Sequence, residues 1–251
     1  MNRKRIAFFL CLLLAAAAAA DRFFARSAGD GRTPQGEAAE RYLRAVYILQ
    51  SLGGPAAEEK EDIPSHIAYS DESEDLLHHS DKILVLQRSA EELAALGGIF
   101  PKAGLFEAYA RMGLGEHEAA ARLLARYVAE NEYRPAYYTL LCDNLAESSD
   151  YISLLLFCRE WREKDPSCNR VRARYTLAAL YKTGNCADVT AQARAEAACL
   201  GWEAEVYAAG AAQACGDGEG ARRMLRKAES AGGDTARIQR LWERLRAGHP
   251  L

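Results

Sequence analysis

A helical rhythm that recurs about every 30 to 36 residues, beginning near Ile99, constrains this chain more than any other feature. Ala108–Val128, Tyr175–Ala197 and Ala208–Ala228 share one plan: an Ala-rich helix, a Gly turn, then a second helix with Ala and Leu at helical spacing. One such pair cannot bury its own apolar face, so self-similarity at a fixed period predicts stacking into a solenoid. Solenoids of this kind are mostly binding scaffolds rather than catalysts.

The N-terminus reads as a leader. Met1–Arg5 is basic, Ile6–Ala20 is an unbroken apolar run, and Ala18-Ala19-Ala20 offers a small-residue cleavage site before Asp21. A short membrane anchor is the rival reading. At about 1.5 Å per residue the run reaches roughly 22 Å, short of the roughly 30 Å hydrocarbon core. Cys11 follows Phe-Phe-Leu, without the small residue a lipoprotein-type signal wants there, and is read as leader. The chain carries a net charge of −3; without Arg3, Lys4 and Arg5 it is −6. A mildly acidic body argues against nucleic acid as a partner.

Residues 21–35 form a lead-in rich in turn residues, and a helix is expected over about Glu37–Leu52, stopped by Gly53 and Gly54. Residues 54–79 make a long polar stretch with eight acids (Glu58, Glu59, Glu61, Asp62, Asp71, Glu72, Glu74, Asp75) against Lys60, and Pro64 blocks helix through its middle. A loop of that length is functional or disordered. Ser80 should cap the next helix, which Gly97 and Gly98 end. Residues 36–98 thus make a helix pair with an inserted acidic loop. Four hairpins are expected over 99–232: Pro101–Met112 with Glu116–Glu130, Ala136–Glu147 with Tyr151–Lys164, Val171–Thr183 with Ala187–Cys199, and Trp202–Ala214 with Glu219–Ser230. A last helix, Thr235–Ala247, places Ile238, Leu241, Trp242 and Leu245 on one face and reads as the cap of the stack within 233–251.

These hairpins resemble the tetratricopeptide repeat. The second matches in phase through Tyr138, Leu141 and Leu145, then Trp161 and Pro166. The fourth keeps Ala209, Ala221, Leu225 and Ala228, the first Tyr109 and Ala119, and the third Leu177, Ala178 and Tyr181. The resemblance covers roughly half the chain, with degenerate motifs and repeat lengths that leave related α-solenoids open. It implies an all-α, right-handed superhelix of stacked antiparallel hairpins that binds a peptide or protein segment on the concave face lined by first helices. In that phase Thr139, Asp143 and Glu147 project from one first helix and Arg172, Tyr175 and Lys182 from the next, a polar partner-binding groove.

Without Cys11 six cysteines remain, all between Cys142 and Cys215, an even number that suits export and disulfides. Cys142–Cys158, across one hairpin, is the leading candidate disulfide. Cys168–Cys199 and Cys186–Cys215 follow; they would join corresponding turns of neighbouring hairpins, which usually stand further apart than the about 7 Å a bridge allows. Burial as small hydrophobes competes for Cys142 and Cys158.

Catalytic signatures are missing. His117-Glu118 begins like a zinc-protease helix, but Ala121 stands where the second His must be. Gly216–Gly220 imitates a dinucleotide loop, yet no apolar strand precedes it. His66, His78 and His79 lie in the acidic stretch and read as solvated rather than as metal ligands. From Ala221 to Ala247 eight bases, among them Arg222, Arg223, Arg226, Arg237, Arg240 and Arg244, outnumber three acids, a basic patch for an acidic partner. The expectation is a bacterial periplasmic or secreted adaptor, non-catalytic and without cofactor or metal. A structural subunit of a membrane-associated envelope complex, tethered if the leader stays uncut, is the alternative. A metal-binding or redox protein ranks third.

Overall fold

The computed structural model describes residues 33–68, 70, 73, 78 and 81–247. The leader, the lead-in before Thr33, the helix-capping role of Ser80 and the acids Asp71, Glu72, Glu74 and Asp75 lie outside the described residues. Those described form thirteen α-helices, with no strand among them, and within each compact unit neighbouring helices pack in pairs, compatible with a helical-repeat solenoid. None of these helices is long and apolar enough to cross a membrane. The chain divides into two compact units at Leu114–Gly115.

In the first unit α1 (Pro34–Leu52) starts at a Thr33 cap, whose Oγ1 accepts from the Gly36 amide, with Pro34 at the first helical position. Gly53, at φ 84°, ends it. After a 3₁₀ turn (Gly54–Glu58), α2 (Ser65–Ala68) begins directly behind Pro64, so that proline opens a short helix. Helices α3 (Lys82–Leu96, capped by Asp81) and α4 (Ala103–Gly113) pack together and on α1. Val46, Leu93, Leu105 and Phe106 are fully buried among them, and Tyr42 stacks on Phe100 at 4.5 Å. Part of the acidic stretch is tied down. Gln50 Nε2 donates to the Glu59 carbonyl at 2.5 Å, and Lys102 Nζ pairs with Glu61 at 2.7 Å.

The second unit contains α5 (His117–Glu130), α6 (Pro135–Glu147), α7 (Tyr151–Lys164), α8 (Arg170–Lys182), α9 (Cys186–Ala195), α10 (Ala197–Leu200), α11 (Trp202–Ala214), α12 (Gly218–Ser230) and α13 (Thr235–Arg246). One turn plan recurs before α5, α7, α9 and α12. A residue at positive φ (Gly115, Ser149, Gly184, Gly216) precedes the helix-starting residue, and these positions lie 34, 35 and 32 residues apart. Three of the residues that follow, Asp150, Asn185 and Asp217, cap their helices by accepting a backbone amide three residues on. Small residues let the layers close: Ala173, Ala193, Ala204, Ala208 and Ala211 are buried with Leu177, Val189 and Leu200 in one core that joins α8, α9, α10 and α11. Helix α6 packs on α8, and α8 on α11, so first helix stacks on first helix. The expected second helix of the third pair instead breaks at Glu196, which is buried, accepts from Gln192 and pairs with Arg162 of α7.

Two disulfides staple this unit, and they are not the leading candidate. Cys168–Cys199 and Cys186–Cys215 are formed, with Cα separations of 5.3 and 6.4 Å. Both separations lie within the about 7 Å a bridge allows, beside the small buried alanines that join α8, α9 and α11. Cys142 and Cys158 are free thiols, both buried. Their sulfurs share a hydrogen bond, which together with burial pushes the Cys142 thiol up; the same bond lowers that of Cys158 against the opposing effect of burial.

Candidate functional site

Of the six residues expected to line a polar groove, the structure leaves few free for a partner. Arg172 is 2% exposed, so it is buried, not at a surface. Its guanidinium is spent on the carbonyls of Asp165 and Ser167, where it holds the α7–α8 connection. That connection is a closed network: Tyr133 donates to Asp165 at 2.9 Å and accepts from Trp161 Nε1 at 2.8 Å, and the bond from Ser167 first, then that from Tyr133, holds Asp165 below the usual carboxylate range. Thr139 returns its hydroxyl to the Pro135 carbonyl. Tyr175 donates to Asp143 and so links α8 to α6; burial first, then that bond, raises its pKa. Only Glu147 and Lys182 stand exposed without an assigned partner among the described residues. His117 lies 3.0 Å from the buried Asn144 and serves the α5–α6 packing. Among the described residues no cluster of His, Cys, Asp and Glu could hold a metal ion.

The basic patch divides. Arg222, Arg223 and Arg226 stand exposed along α12. Arg237, Arg240 and Arg244 instead line one side of a groove of about 450 Å³. Its other side comes from the first helices: Tyr181 of α8, with Val206, Tyr207 and Gly210 of α11. Arg237 lies over the Trp202 ring at 5.4 Å. The nearby acid Glu203 is already taken: Arg174 donates to it twice, at 2.7 and 2.8 Å, and Arg170 at 3.1 Å. Those arginines, Arg174 first, hold its carboxyl below the usual range. The groove depends on where α13 sits. A Cβ on Gly233 would meet Ile238 Cδ1 at 2.4 Å and the Ala228 carbonyl at 2.8 Å, so only glycine admits the tight turn that seats α13 beside Trp202.

Sequence reasoning found the arginines of this groove but not its tyrosine side. Tyr181 drew notice only as a repeat residue, and Tyr207 not at all. The i, i+3, i+7 spacing of Arg237, Arg240 and Arg244 was the available signal, since it puts three cations on one helix face. Two other hollows differ in character. One of about 330 Å³ in the first unit mixes Arg41 and Arg88 with Glu91 and Glu92, and Arg41 already pairs with Glu92. One of about 510 Å³ beside α7 is mostly apolar, with the exposed Leu156 in its lining.

No protein-family model, no curated protein and no solved structure matches the chain.

Proposed function

We propose that this chain is an exported, non-catalytic adaptor of the bacterial cell envelope that holds a segment of another protein against its first helices. In this reading the second unit is a tetratricopeptide-like, right-handed stack of antiparallel hairpins, and α13 caps its end. The supporting observation is the groove of about 450 Å³ where Tyr181 and Tyr207, on successive first helices, stand with three arginines of the last helix. Disulfides persist in oxidising compartments, so Cys168–Cys199 and Cys186–Cys215 support export alongside the leader pattern. Four polar side chains of the expected groove serve internal contacts, which moves the binding surface from α6 toward α8, α11 and α13.

The test is photo-crosslinking in the native host. A photoreactive residue replaces Tyr181 in one strain and the exposed Arg159 of α7 in another. The adaptor reading expects a discrete protein adduct from position 181 and none from position 159. No adduct at either position, or equal adducts at both, refutes it.

A further inference from the structure

We infer that the groove between α13 and the first helices is a binding site for an extended peptide that alternates acidic and apolar residues. This rests on the adaptor reading and specifies its ligand.

One side of the groove is a row of three cations, of which Arg237 shares the field of Glu203. Arg237, Arg240 and Arg244 project from one face of α13, and among the described residues Arg240 and Arg244 have no carboxylate partner. None of the nearby acids forms an ion pair with Arg240 or Arg244 among the described residues. Glu203 is held by Arg170 and Arg174, and Asp234 caps α13 by accepting from the Arg237 amide at 2.8 Å. Glu243 accepts from Gln239 at 3.5 Å on the exposed side of the helix. Like charges held this close repel, and an anion between them removes that cost. Guanidinium groups also offer paired N–H donors that fit a carboxylate.

The other side is aromatic and apolar. Tyr181 and Tyr207 line it with Val206, and neither hydroxyl has a hydrogen-bond partner among the described residues. Burial raises the Tyr207 pKa, so at neutral pH its hydroxyl keeps its proton and can donate to a peptide carbonyl. Among the described lining residues the groove holds donors and apolar surface but no carboxylate.

Spacing selects the peptide. At a rise of about 1.5 Å per residue, Arg240 and Arg244 are separated by about 6 Å along α13. In an extended chain residues i and i+2 project to the same side about 6.5 Å apart, and residue i+1 projects to the other. An acidic–apolar–acidic segment therefore sets two carboxylates against Arg240 and Arg244 while the residue between them enters the tyrosine side beside Val206. A helix would space same-face carboxylates at three and four residues and is too wide for a cleft of this volume.

The experiment uses the full disulfide-bonded chain and three capped peptides. One alternates glutamate and leucine, one carries the same residues as a glutamate block and a leucine block, and one alternates lysine and leucine. Trp202 beneath Arg237 supplies a fluorescence reading, and calorimetry an independent one. Two double variants compare equal charge loss: Arg240→Gln with Arg244→Gln, and Arg222→Gln with Arg226→Gln on α12. Circular dichroism confirms that both remain folded. The inference expects saturable binding of the alternating acidic peptide, at least about fivefold weaker binding of the block peptide, and none of the lysine peptide. The α13 variant should weaken binding at least about tenfold and the α12 variant less than about twofold. Equal loss in both variants would reduce the effect to net charge and overturn the inference, as would equal affinity for block and alternating peptides. Absence of saturable binding overturns it too. Inorganic phosphate, or phosphatidylglycerol vesicles that bind better than the peptide through Arg240 and Arg244, would reassign the groove to phosphate. If the peptides fail while the Tyr181 crosslink persists, the adaptor reading stands with a different ligand.

Discussion

Glu203 offers the sharpest test of how the second unit is held together. It is 6% exposed at the start of α11 and receives three hydrogen bonds from Arg170 and Arg174 of α8, so it fastens one first helix to the next. Replacing Glu203 with Gln keeps the shape and removes the charge. Hydrogen bonds to charged groups contribute about 1.5–3 kcal/mol. Here Arg170 and Arg174 are 55% and 47% exposed, so water already screens much of the attraction. The net loss should therefore be about 1–2 kcal/mol, or about 2–8 °C in Tm for a domain of this size. The carboxyl sits below its ordinary 4.5, chiefly through the Arg174 bonds. A depressed carboxyl stabilises the fold when ionised; that contribution is complete above the ordinary value and disappears as pH falls through the folded one. Urea unfolding at about pH 7 should show a lower midpoint for Glu203→Gln with an unchanged slope, and the gap should narrow as pH falls below the ordinary carboxylate range. A gap that is absent at neutral pH, or that persists undiminished in acid, refutes the reasoning.

Three further outcomes follow from the geometry. Gly233→Ala should cost about 1–3 kcal/mol, because a methyl there collides with Ile238 and the Ala228 carbonyl, and it should also weaken ligand binding in the groove by displacing α13; unchanged thermal stability would refute this. Ser149 holds φ 60° where the other three turns of the series have glycine, so Ser149→Gly should raise stability by about 0.5–1 kcal/mol in a chemical melt. Reducing Cys168–Cys199 and Cys186–Cys215, whose partners are 31 and 29 residues apart, should cost about 3–6 kcal/mol in all, since overlapping loops share part of their closure entropy; calorimetry of the reduced, alkylated protein measures it.

Much of the helical plan was legible because its signals are local. The expected Tyr151–Lys164 and Trp202–Ala214 coincide with α7 and α11, since Asp150 caps the first and Gly201 precedes the second. Errors came where tertiary contacts decide. The expected Ala187–Cys199 breaks at Glu196 because that carboxylate turns inward to Arg162, a residue of another layer. The disulfide ranking failed for a related reason: it used an average layer spacing, whereas Ala173, Ala193 and Ala204 let these layers approach. Arg172 looked like a groove residue because its phase is that of a first helix. At the first turn of α8 its side chain folds back to the preceding carbonyls instead of projecting outward. Tyr207 was missed because an aromatic in an Ala-rich helix carries no mark of what stands across from it.

The crossing of the two disulfides has a consequence for proteolysis. Cys186 lies inside the span closed by Cys168 and Cys199, and Cys199 lies inside the span closed by Cys186 and Cys215. A single cut anywhere between Cys168 and Cys215 therefore releases no fragment. Two cuts, one between Cys168 and Cys186 and one between Cys199 and Cys215, still leave every piece joined to another. Exposed to a protease, this stretch of α8 to α11 can be nicked and yet migrate as one molecule until a reductant is added.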